Sequence, residues 1–374
     1  MTLAYRKENA LNAICPYFTM FPLEYPYQVL KKHRKDTPVI LDPFCGRGTT
    51  LFAARTLGLS AWGVDTSPVA VAIAKSKLAS CSVEEPLTLA HKLISEVDPT
   101  HIPESSFFEA AYHRETLRSL CALREGLLNL KIETDAAVVL RAAALGCLHG
   151  PLSKHSENAG YFSNQMPRTY ASKPNYAVRF WETRNLEAPK INILEVLRRK
   201  ISRLTGLEKN SPCSISHVLQ GDAQSPETFQ SINLAPSIII TSPPYYGMKT
   251  YVQDQWLRNW FLGGPESIDY SPGPQLDHGG PQAFVSSLGK VWKNIADSAA
   301  SSEALHMYIR FGIIPSALVN AKSIFNNSLE ESGISWRLVS TRTAKTADSG
   351  KRQAGQMKTT STAAVEFDFH VERI

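Results

Sequence analysis

Several features typical of secreted, metal-binding and membrane proteins are missing from this chain of 374 residues. Its six cysteines form no CxxC pair and no metal-ligand spacing, which disfavours a disulfide framework and predicts no bound metal. No apolar run reaches the roughly 20 residues needed to span a bilayer, and the opening "MTLAYRKENA" lacks a signal-peptide core. We therefore expect reduced core cysteines in a cytoplasmic protein without a membrane partner.

Two motifs of common nucleotide sites are also missing from the one glycine-rich loop that follows a predicted strand. "CGRGTTL" does not match GxxxxGK[ST], and Leu51 stands where GxGxxG has its third glycine. These absences disfavour ATP and NAD as cofactors. The net charge of +6 is a mild basic excess, compatible with a polyanionic partner without identifying one.

Two strand–loop–helix units follow each other near the N-terminus, in "TPVILDPFCGRGTTLFAARTLG" and "SAWGVDTSPVAVAIAKSKLAS". The second has a good helix start, because Ser67 can cap the helix and Pro68 suits its first position. Consecutive units of this kind predict a parallel sheet covered by helices.

The rest of the chain has other patterns. Residues 81–212 read as mostly helical, interrupted by a polar, turn-rich loop over 150–185. Strand signals return in "SHVLQGDA", "APSIIITSPPY" and "ALHMYIRFG", and residues 282–300 have helical periodicity. Two alternating segments, "SWRLVSTRT" and "STAAVEFDFHVER", predict an antiparallel hairpin at a sheet edge.

The glycine loop has the layout of a cofactor site. Gly46 and Gly48 let the backbone approach a ligand closely, and the helix that follows presents unpaired N–H groups. Asp65 ends the next strand about twenty residues on, where a carboxylate can accept hydrogen bonds from two ribose hydroxyls.

The stretch "IIITSPPY" ends a buried strand in two prolines. Pro243 and Pro244 have no N–H donors and fixed φ angles, so the chain leaves the sheet rigidly. The Ser242 hydroxyl and the Pro243 carbonyl become neighbouring acceptors, and Tyr245 adds a flat ring. This arrangement suits a planar ring that carries an exocyclic amino group.

Together, these two motifs resemble the amino-methylating, S-adenosylmethionine-dependent DNA methyltransferases. Phe44-Cys45-Gly46-Arg47-Gly48 matches their F-x-G-x-G loop, and Ser242-Pro243-Pro244-Tyr245 matches their [DNS]-PP-[YFW] motif. "YFTMFPLEYP" (17–26) and "GDA" (221–223) are weaker matches to segments that contact the methionine and adenine parts of the cofactor.

The resemblance implies an α/β fold: a Rossmann-like doubly wound methyltransferase sheet with a C-terminal antiparallel hairpin and a largely helical insertion. The methyltransferase domain is expected over residues 1–80 and 213–374, with the insertion over 81–212. The glycine bend and the double-proline bend are expected side by side, so that a sulfonium methyl group and a flipped base can meet.

The resemblance also implies site residues. The expected catalytic residues are Ser242, Pro243, Pro244 and Tyr245, which direct the lone pair of the base amino group while Tyr245 stacks on the flipped base. The expected S-adenosylmethionine ligands are Phe21, Asp42, Phe44, Gly46, Gly48, Thr49, Asp65 and Asp222.

Alternative activities remain open. Cytosine-C5 methylation needs a Pro-Cys nucleophile, but Pro212-Cys213 precedes its strand instead of ending it. RNA guanine-N2 methyltransferases carry similar glycine loops, though usually with Asp before Pro-Pro. Ser242 favours N4 of cytosine over N6 of adenine, without excluding adenine. A fold that binds cofactor or DNA without turnover is a further alternative.

The expected substrate is double-stranded DNA, and a cognate restriction endonuclease or defence system is a candidate partner. The insertion is the natural recognition element, although it precedes "GDA", where the family usually has it later. Residues 158–181 interleave basic and aromatic side chains and contain no Asp or Glu. Candidate DNA contacts there and elsewhere are Arg168, Lys173, Arg179, Lys249, Lys351 and Arg352.

Overall fold

The structure, a computed structural model, describes residues 7–17, 22–36, 38–151, 159–166, 173–204, 207, 216–230, 235–247, 251–271, 273, 275–299, 304–313, 317–344 and 366–374. The chain divides into two compact units. The sheet unit comprises residues 17–74, 211–249 and 272–374, and the helical unit comprises residues 1–16, 75–210 and 250–271. These bounds differ from the domains expected above mainly at residues 1–16 and 250–271.

Seven strands form a single sheet in the described part of the sheet unit, in the order β3-β2-β1-β4-β5-β7-β6. They are β1 (Ile40–Asp42), β2 (Ala61–Asp65), β3 (His217–Gln220), β4 (Ile238–Thr241), β5 (His306–Gly312), β6 (Trp336–Thr343) and β7 (Glu366–Arg373). Strands β1 to β5 pair in parallel, whereas β7 is antiparallel to both β5 and β6. The expected α/β fold class is confirmed, including the antiparallel pair, with β6 at the edge.

The strand sequences explain their positions in the sheet. All four residues of β4 are buried, as a central parallel strand requires. Strand β5 alternates, so Met307, Ile309 and Phe311 lie in the hydrophobic core with Phe369 and Val371 of β7. The other face of this strand pair, here called the polar face, consists of His306, Tyr308, Arg310 and Gly312 opposite Glu372, His370, Asp368 and Glu366.

The helices of the sheet unit are α1 (Glu24–His33), α2 (Thr49–Leu57), α3 (Pro68–Ser76), α10 (Pro226–Gln230), α13 (Pro281–Ser298) and α14 (Ala321–Glu331), with the last two residues of α3 in the helical unit. Helices α13 and α14 contribute Phe284, Trp292 and Phe325 to the core. As predicted, Ser67 caps α3, since its hydroxyl oxygen accepts a hydrogen bond from the Ala70 N–H at 3.3 Å.

The helical unit contains α4 (Glu84–Glu96), α5 (Ser106–Ala111), α6 (Arg114–Leu128), α7 (Asp135–Leu145), α8 (Pro174–Glu182), α9 (Ile193–Ile201), α11 (Tyr251–Asp254) and α12 (Trp256–Phe261), besides the 3-10 turn Lys7–Ala13. Trp256, Trp260 and Phe261 are buried, so the predicted core packing of this aromatic segment is confirmed. No helix in the described part of the chain has the length and apolar character to cross a membrane.

One local prediction is wrong, because the expected loop over 150–185 contains α8. Pro174 starts this helix at a position where its missing N–H costs nothing. Ala177 and Trp181 are four residues apart and both buried, so they form the core side of an amphipathic helix. Val178 and Phe180 between them are apolar but only half-buried, so the apolar positions of the sequence do not show this spacing clearly.

Candidate active site at the carboxyl edge of the sheet

The glycine loop leaves the carboxyl end of β1 and turns into α2. Gly46 has φ 50° and Gly48 has φ 79°, both in the left-handed region that favours glycine. The Gly48 N–H donates to the Cys45 carbonyl at 2.8 Å, and α2 begins directly afterwards at Thr49. A Cβ atom at Gly46 would meet nothing within 4 Å, so open space adjoins the loop here. The loop therefore offers backbone that a ligand can approach.

Asp65 ties the end of β2 to this loop. Its Oδ2 accepts a hydrogen bond from the Gly46 N–H at 2.9 Å, and its Oδ1 accepts one from the Ser67 N–H at 2.9 Å. Burial raises the pKa of Asp65 to about 6, against the lowering effect of these two hydrogen bonds. Each carboxylate oxygen has a further lone pair, so hydroxyl donors can still bind.

Asp42 joins the ends of β1 and β4. Its Oδ1 accepts a hydrogen bond from the Thr241 hydroxyl at 2.6 Å and another from the Phe44 N–H at 3.2 Å. The side chain is fully buried, and its Oδ2 has no well-aligned hydrogen-bond partner among the described residues, since the Thr50 hydroxyl beside the carboxylate donates to the Ile240 carbonyl at 3.3 Å. Burial raises the pKa of Asp42 to about 6. An unpartnered buried oxygen of this kind normally has a ligand or water as its partner.

The double-proline segment leaves the same edge of the sheet. Strand β4 lies beside β1 in parallel, with Ile40 opposite Ile238 and Leu41 opposite Ile239. Because the carboxyl ends of parallel strands share one edge, the glycine loop and Ser242 emerge next to each other. Ser242 is half-buried. The predicted proximity of the two bends is therefore present.

Tyr245 is buried, with 6% of its surface exposed. Its hydroxyl donates to Glu366 Oε1 at 2.6 Å, and its ring meets the Phe311 ring edge-to-face at 6.2 Å. A Cβ atom at Gly312 would lie 3.2 Å from the tyrosine ring, so glycine leaves room for it. In this arrangement little of the ring is open to a stacking base, so the stacking role stays a prediction.

Glu366 is the residue at this site that the sequence did not indicate. It is 7% exposed and lies opposite Gly312 in the β5–β7 pairing. Only the register of two strands more than fifty residues apart brings it to Tyr245, and no local pattern carries that register. The alternation in "EFDFHVER" was the available signal, because it places Glu366 on the same face as Asp368 and His370.

Asp222 lies in the turn after β3, and β3 pairs in parallel with β2. The Gly221 N–H donates to the Asp65 carbonyl oxygen at 3.1 Å, which holds this turn beside the end of β2. Asp222 Oδ1 accepts a hydrogen bond from the Gln224 N–H at 2.9 Å, and the carboxylate is half-buried. Four adjacent strand ends thus carry Asp222, Asp65, the glycine loop and the double-proline segment in that order.

Cys45 in the glycine loop is not a suitable nucleophile. It is buried, and this burial together with the carboxylates of Asp65 and Asp42 raises the pKa of its thiol well above the usual value. Cys15, Cys45, Cys81, Cys121 and Cys147 are all buried and free, as expected for reduced core residues. The rival Cys213 lies outside the described residues.

The predicted DNA-contacting residues are only partly described. Arg179 and Tyr176 are exposed on α8 in the helical unit, and Lys173 is exposed at the N-cap position directly before this helix. Trp181 of the same segment points inward, and its Nε1–H donates to the Gln165 carbonyl at 2.6 Å. The predicted residues Phe21, Arg168, Lys249, Lys351 and Arg352 lie outside the described residues.

Comparison with known proteins finds DNA methyltransferases among the proteins that parts of this chain resemble. Residues 2–76 match the family model described as DNA methylase (N6_N4_Mtase), a range that includes the glycine loop and Asp65 but not Ser242. The resemblance to the amino-methylating DNA methyltransferases is thereby confirmed, and the curated relatives agree with it.

Two curated relatives are named type II methyltransferases. The chain is 39% identical over 252 residues to the type II methyltransferase M.BsoBI of Geobacillus stearothermophilus, covering 61% of this chain and 47% of that protein. It is 33% identical over 75 residues to the type II methyltransferase M.MjaII of Methanocaldococcus jannaschii, covering 20% of this chain and 14% of that protein. The chain thus spans less than half the length of the curated relatives it matches.

A solved structure, the rRNA methyltransferase aviRa from Streptomyces viridochromogenes, aligns over 99% of this chain and 96% of its own. The identity is 12% and the TM-score is 0.34, too low to support an argument about this protein.

Proposed function

We propose that this protein transfers a methyl group from S-adenosylmethionine to the exocyclic amino group of a base flipped out of double-stranded DNA, with N4 of cytosine favoured. The observation that carries the proposal is the 2.6 Å hydrogen bond between Thr241 and Asp42. It joins the last residue of β4, directly before Ser242, to the last residue of β1, directly before the glycine loop. A cofactor on one bend and a base on the other would therefore be neighbours.

The residues at the carboxyl edge of the sheet would suit S-adenosylmethionine as a ligand. The unpartnered Asp42 Oδ2 and the open space beside Gly46 are features that a bound ligand would use. Asp65 would accept from the ribose hydroxyls, Asp222 would meet the adenine, and the backbone at Gly46 and Gly48 would face the methionine part. S-adenosylmethionine supplies an electrophilic methyl group on a positively charged sulfur.

The double-proline segment would hold the amino group of the base. The lone pair of the amino nitrogen is conjugated into the ring of the base, so this nitrogen is a poor nucleophile in the free base. Hydrogen bonds from the amino group to the Ser242 hydroxyl and the Pro243 carbonyl would favour a pyramidal nitrogen with a directed lone pair. Tyr245, held by Glu366, would border the ring of the base.

The helical unit would contribute DNA recognition within the proposed insertion, residues 81–212. Lys173 at the N-cap of α8 and Arg179 on this helix are both exposed, which suits contact with phosphates. Arg168, Lys249, Lys351 and Arg352 remain predicted contacts. Because both curated relatives are named type II methyltransferases, a partner restriction endonuclease is part of the proposal.

Transfer of a radiolabelled methyl group tests the proposal. The protein is incubated with labelled S-adenosylmethionine and duplex DNA of mixed sequence, and with structured RNA in parallel. Digestion to nucleosides and chromatography then identify the methylated base. We expect label in N4-methylcytosine, whereas label in N6-methyladenine would favour the adenine alternative.

Two other outcomes would contradict the proposal. Label in guanosine from RNA would favour the RNA alternative. Demonstrated cofactor binding without transfer to any nucleic acid would favour a non-catalytic binding module. The Ser242→Ala variant serves as the matched control, since it should keep cofactor binding and lose most of the transfer.

A further inference from the structure

Three side chains of types that can ligate a metal lie together at the end of the polar face that is farthest from Tyr245. His306 is the first residue of β5 and lies directly opposite Glu372 of β7. His370 precedes Glu372 by two residues and therefore projects from the same face of β7. From Gly312 to His306 is six strand residues, or about 20 Å along β5. The cluster is thus separate from the candidate active site.

The distances within this cluster are those of a metal-ligand set. His306 Nδ1 lies 3.2 Å from His370 Nε2 and 3.3 Å from Glu372 Oε1, and all three ligand atoms are within 4.8 Å of one another. Four ligands around zinc at about 2.0–2.1 Å are about 3.3–3.4 Å apart when the geometry is tetrahedral. Two imidazoles and one carboxylate form a ligand set that zinc uses, with water as a fourth ligand.

We propose that His306, His370 and Glu372 bind one divalent transition-metal ion, with zinc as the best-fitting ion. The ion would link β5 to β7 at the amino end of β5 and would have a structural role. Hard cations such as magnesium do not fit, because they prefer oxygen ligands over imidazole nitrogen.

The surrounding residues hold the ligands in place. The Tyr308 ring stacks on His370 with centroids 4.2 Å apart and an interplanar angle of 10°. The Tyr308 hydroxyl is 2.8 Å from His33 Nε2, which fixes the tyrosine in turn. Arg337 on β6 pairs with Glu372 Oε2, so Oε1 stays directed toward His306. Such outer contacts orient metal ligands in known sites.

The same distances also allow a metal-free network, in which His306 shares one hydrogen bond with His370 and an ion pair with Glu372. Arg337 and the nearby Lys32 are cations that would weaken the attraction for a metal ion. The two interpretations differ in one measurable respect. Only a metal site gives saturable binding of one zinc ion that depends on both histidines.

Calorimetric titration with zinc tests the proposal on the full, untagged chain after removal of metals by a chelator. We expect one zinc ion per chain, together with a raised melting temperature. His370→Gln and His306→Gln should each weaken zinc binding by more than about 100-fold, because loss of an outer contact alone costs 10- to 100-fold. His91→Gln is the matched control, since His91 is exposed and lies on α4 in the other unit.

Cobalt titration gives an independent measurement, because tetrahedral cobalt absorbs strongly in the visible range. We expect this absorption in the parent protein and the His91 variant, and its loss in Glu372→Gln. Circular dichroism shows which variants are folded, and any one folded ligand variant is sufficient for the comparison. Absence of zinc binding in the parent, or equal binding in a folded ligand variant, would overturn the proposal.

Discussion

The hydrogen bond between Tyr245 and Glu366 makes a quantitative prediction. Both side chains are buried, and the hydroxyl donates to the carboxylate over 2.6 Å. Tyr245→Phe removes the hydroxyl donor and keeps the ring. The buried Glu366 carboxylate then loses this hydrogen bond. Such a loss costs about 1–3 kcal/mol, so we expect the free energy of unfolding to fall by that amount.

The assay is denaturant unfolding, in which the midpoint should shift while the slope stays constant. The matched control is Tyr246→Phe, because the Tyr246 hydroxyl has no hydrogen-bond partner among the described residues and its loss should cost less than about 0.5 kcal/mol. Turnover should fall less in Tyr245→Phe than in Tyr245→Ala, which also removes the ring. Equal stability of Tyr245→Phe and the parent would refute the reasoning.

Three further predictions concern cofactor binding, the pH dependence of stability and DNA binding. Asp65→Ala should weaken S-adenosylmethionine binding more than it lowers the rate at saturating cofactor, whereas Tyr245→Ala should lower turnover with little change in cofactor affinity. Titration calorimetry measures the affinity and steady-state kinetics the turnover. Loss of turnover without loss of affinity in Asp65→Ala, and the opposite in Tyr245→Ala, would contradict the assignment. Burial raises the pKa of Asp42 from 3.8 to about 6, so the folded chain binds more protons there than the unfolded chain. Asp42 should therefore cost about 2 kcal/mol of stability as pH rises from 4 to 7. Asp42→Asn should flatten the stability–pH curve in that range, and an unchanged curve would count against the burial argument. Replacing Lys173 and Arg179 together by Gln should weaken DNA binding, as measured by fluorescence anisotropy. The plot of the logarithm of the DNA association constant against the logarithm of the salt concentration should become less steep by about 2. An unchanged slope would show that α8 is not part of the DNA interface.

The sequence predicted the parts of the molecule that have strong local signals. Gly46 and Gly48 mark a turn that only glycine adopts easily, and Pro243 and Pro244 mark the exit from a buried strand. Because both signals follow apolar strands, their shared edge followed from the rule for parallel sheets. The resemblance implied a doubly wound sheet with a C-terminal antiparallel hairpin, whereas the order of the strands was not readable from these motifs.

The sequence missed features that depend on strand register. Glu366 meets Tyr245, and His306 meets Glu372, only because β5 and β7 align with Gly312 opposite Glu366. The alternation in "EFDFHVER" excludes a shift of one residue, which would send these polar side chains to the core face. It does not exclude a shift of two residues, which keeps the face of each side chain but changes its partner. Helix α8 was missed for a different reason, since it is only nine residues long and, of its apolar residues, only Ala177 and Trp181 are buried.

The most direct test of the central claim, that cofactor and base amino group meet between Asp42 and Ser242, is a single-turnover measurement. A preformed complex of the protein with tritiated S-adenosylmethionine is mixed with duplex DNA, and the rate of label transfer is compared between the parent and Ser242→Ala. Loss of one acceptor hydrogen bond worth about 1.4 kcal/mol in the transition state predicts a rate at least about tenfold lower, with unchanged cofactor affinity. An equal rate in both proteins would contradict the account.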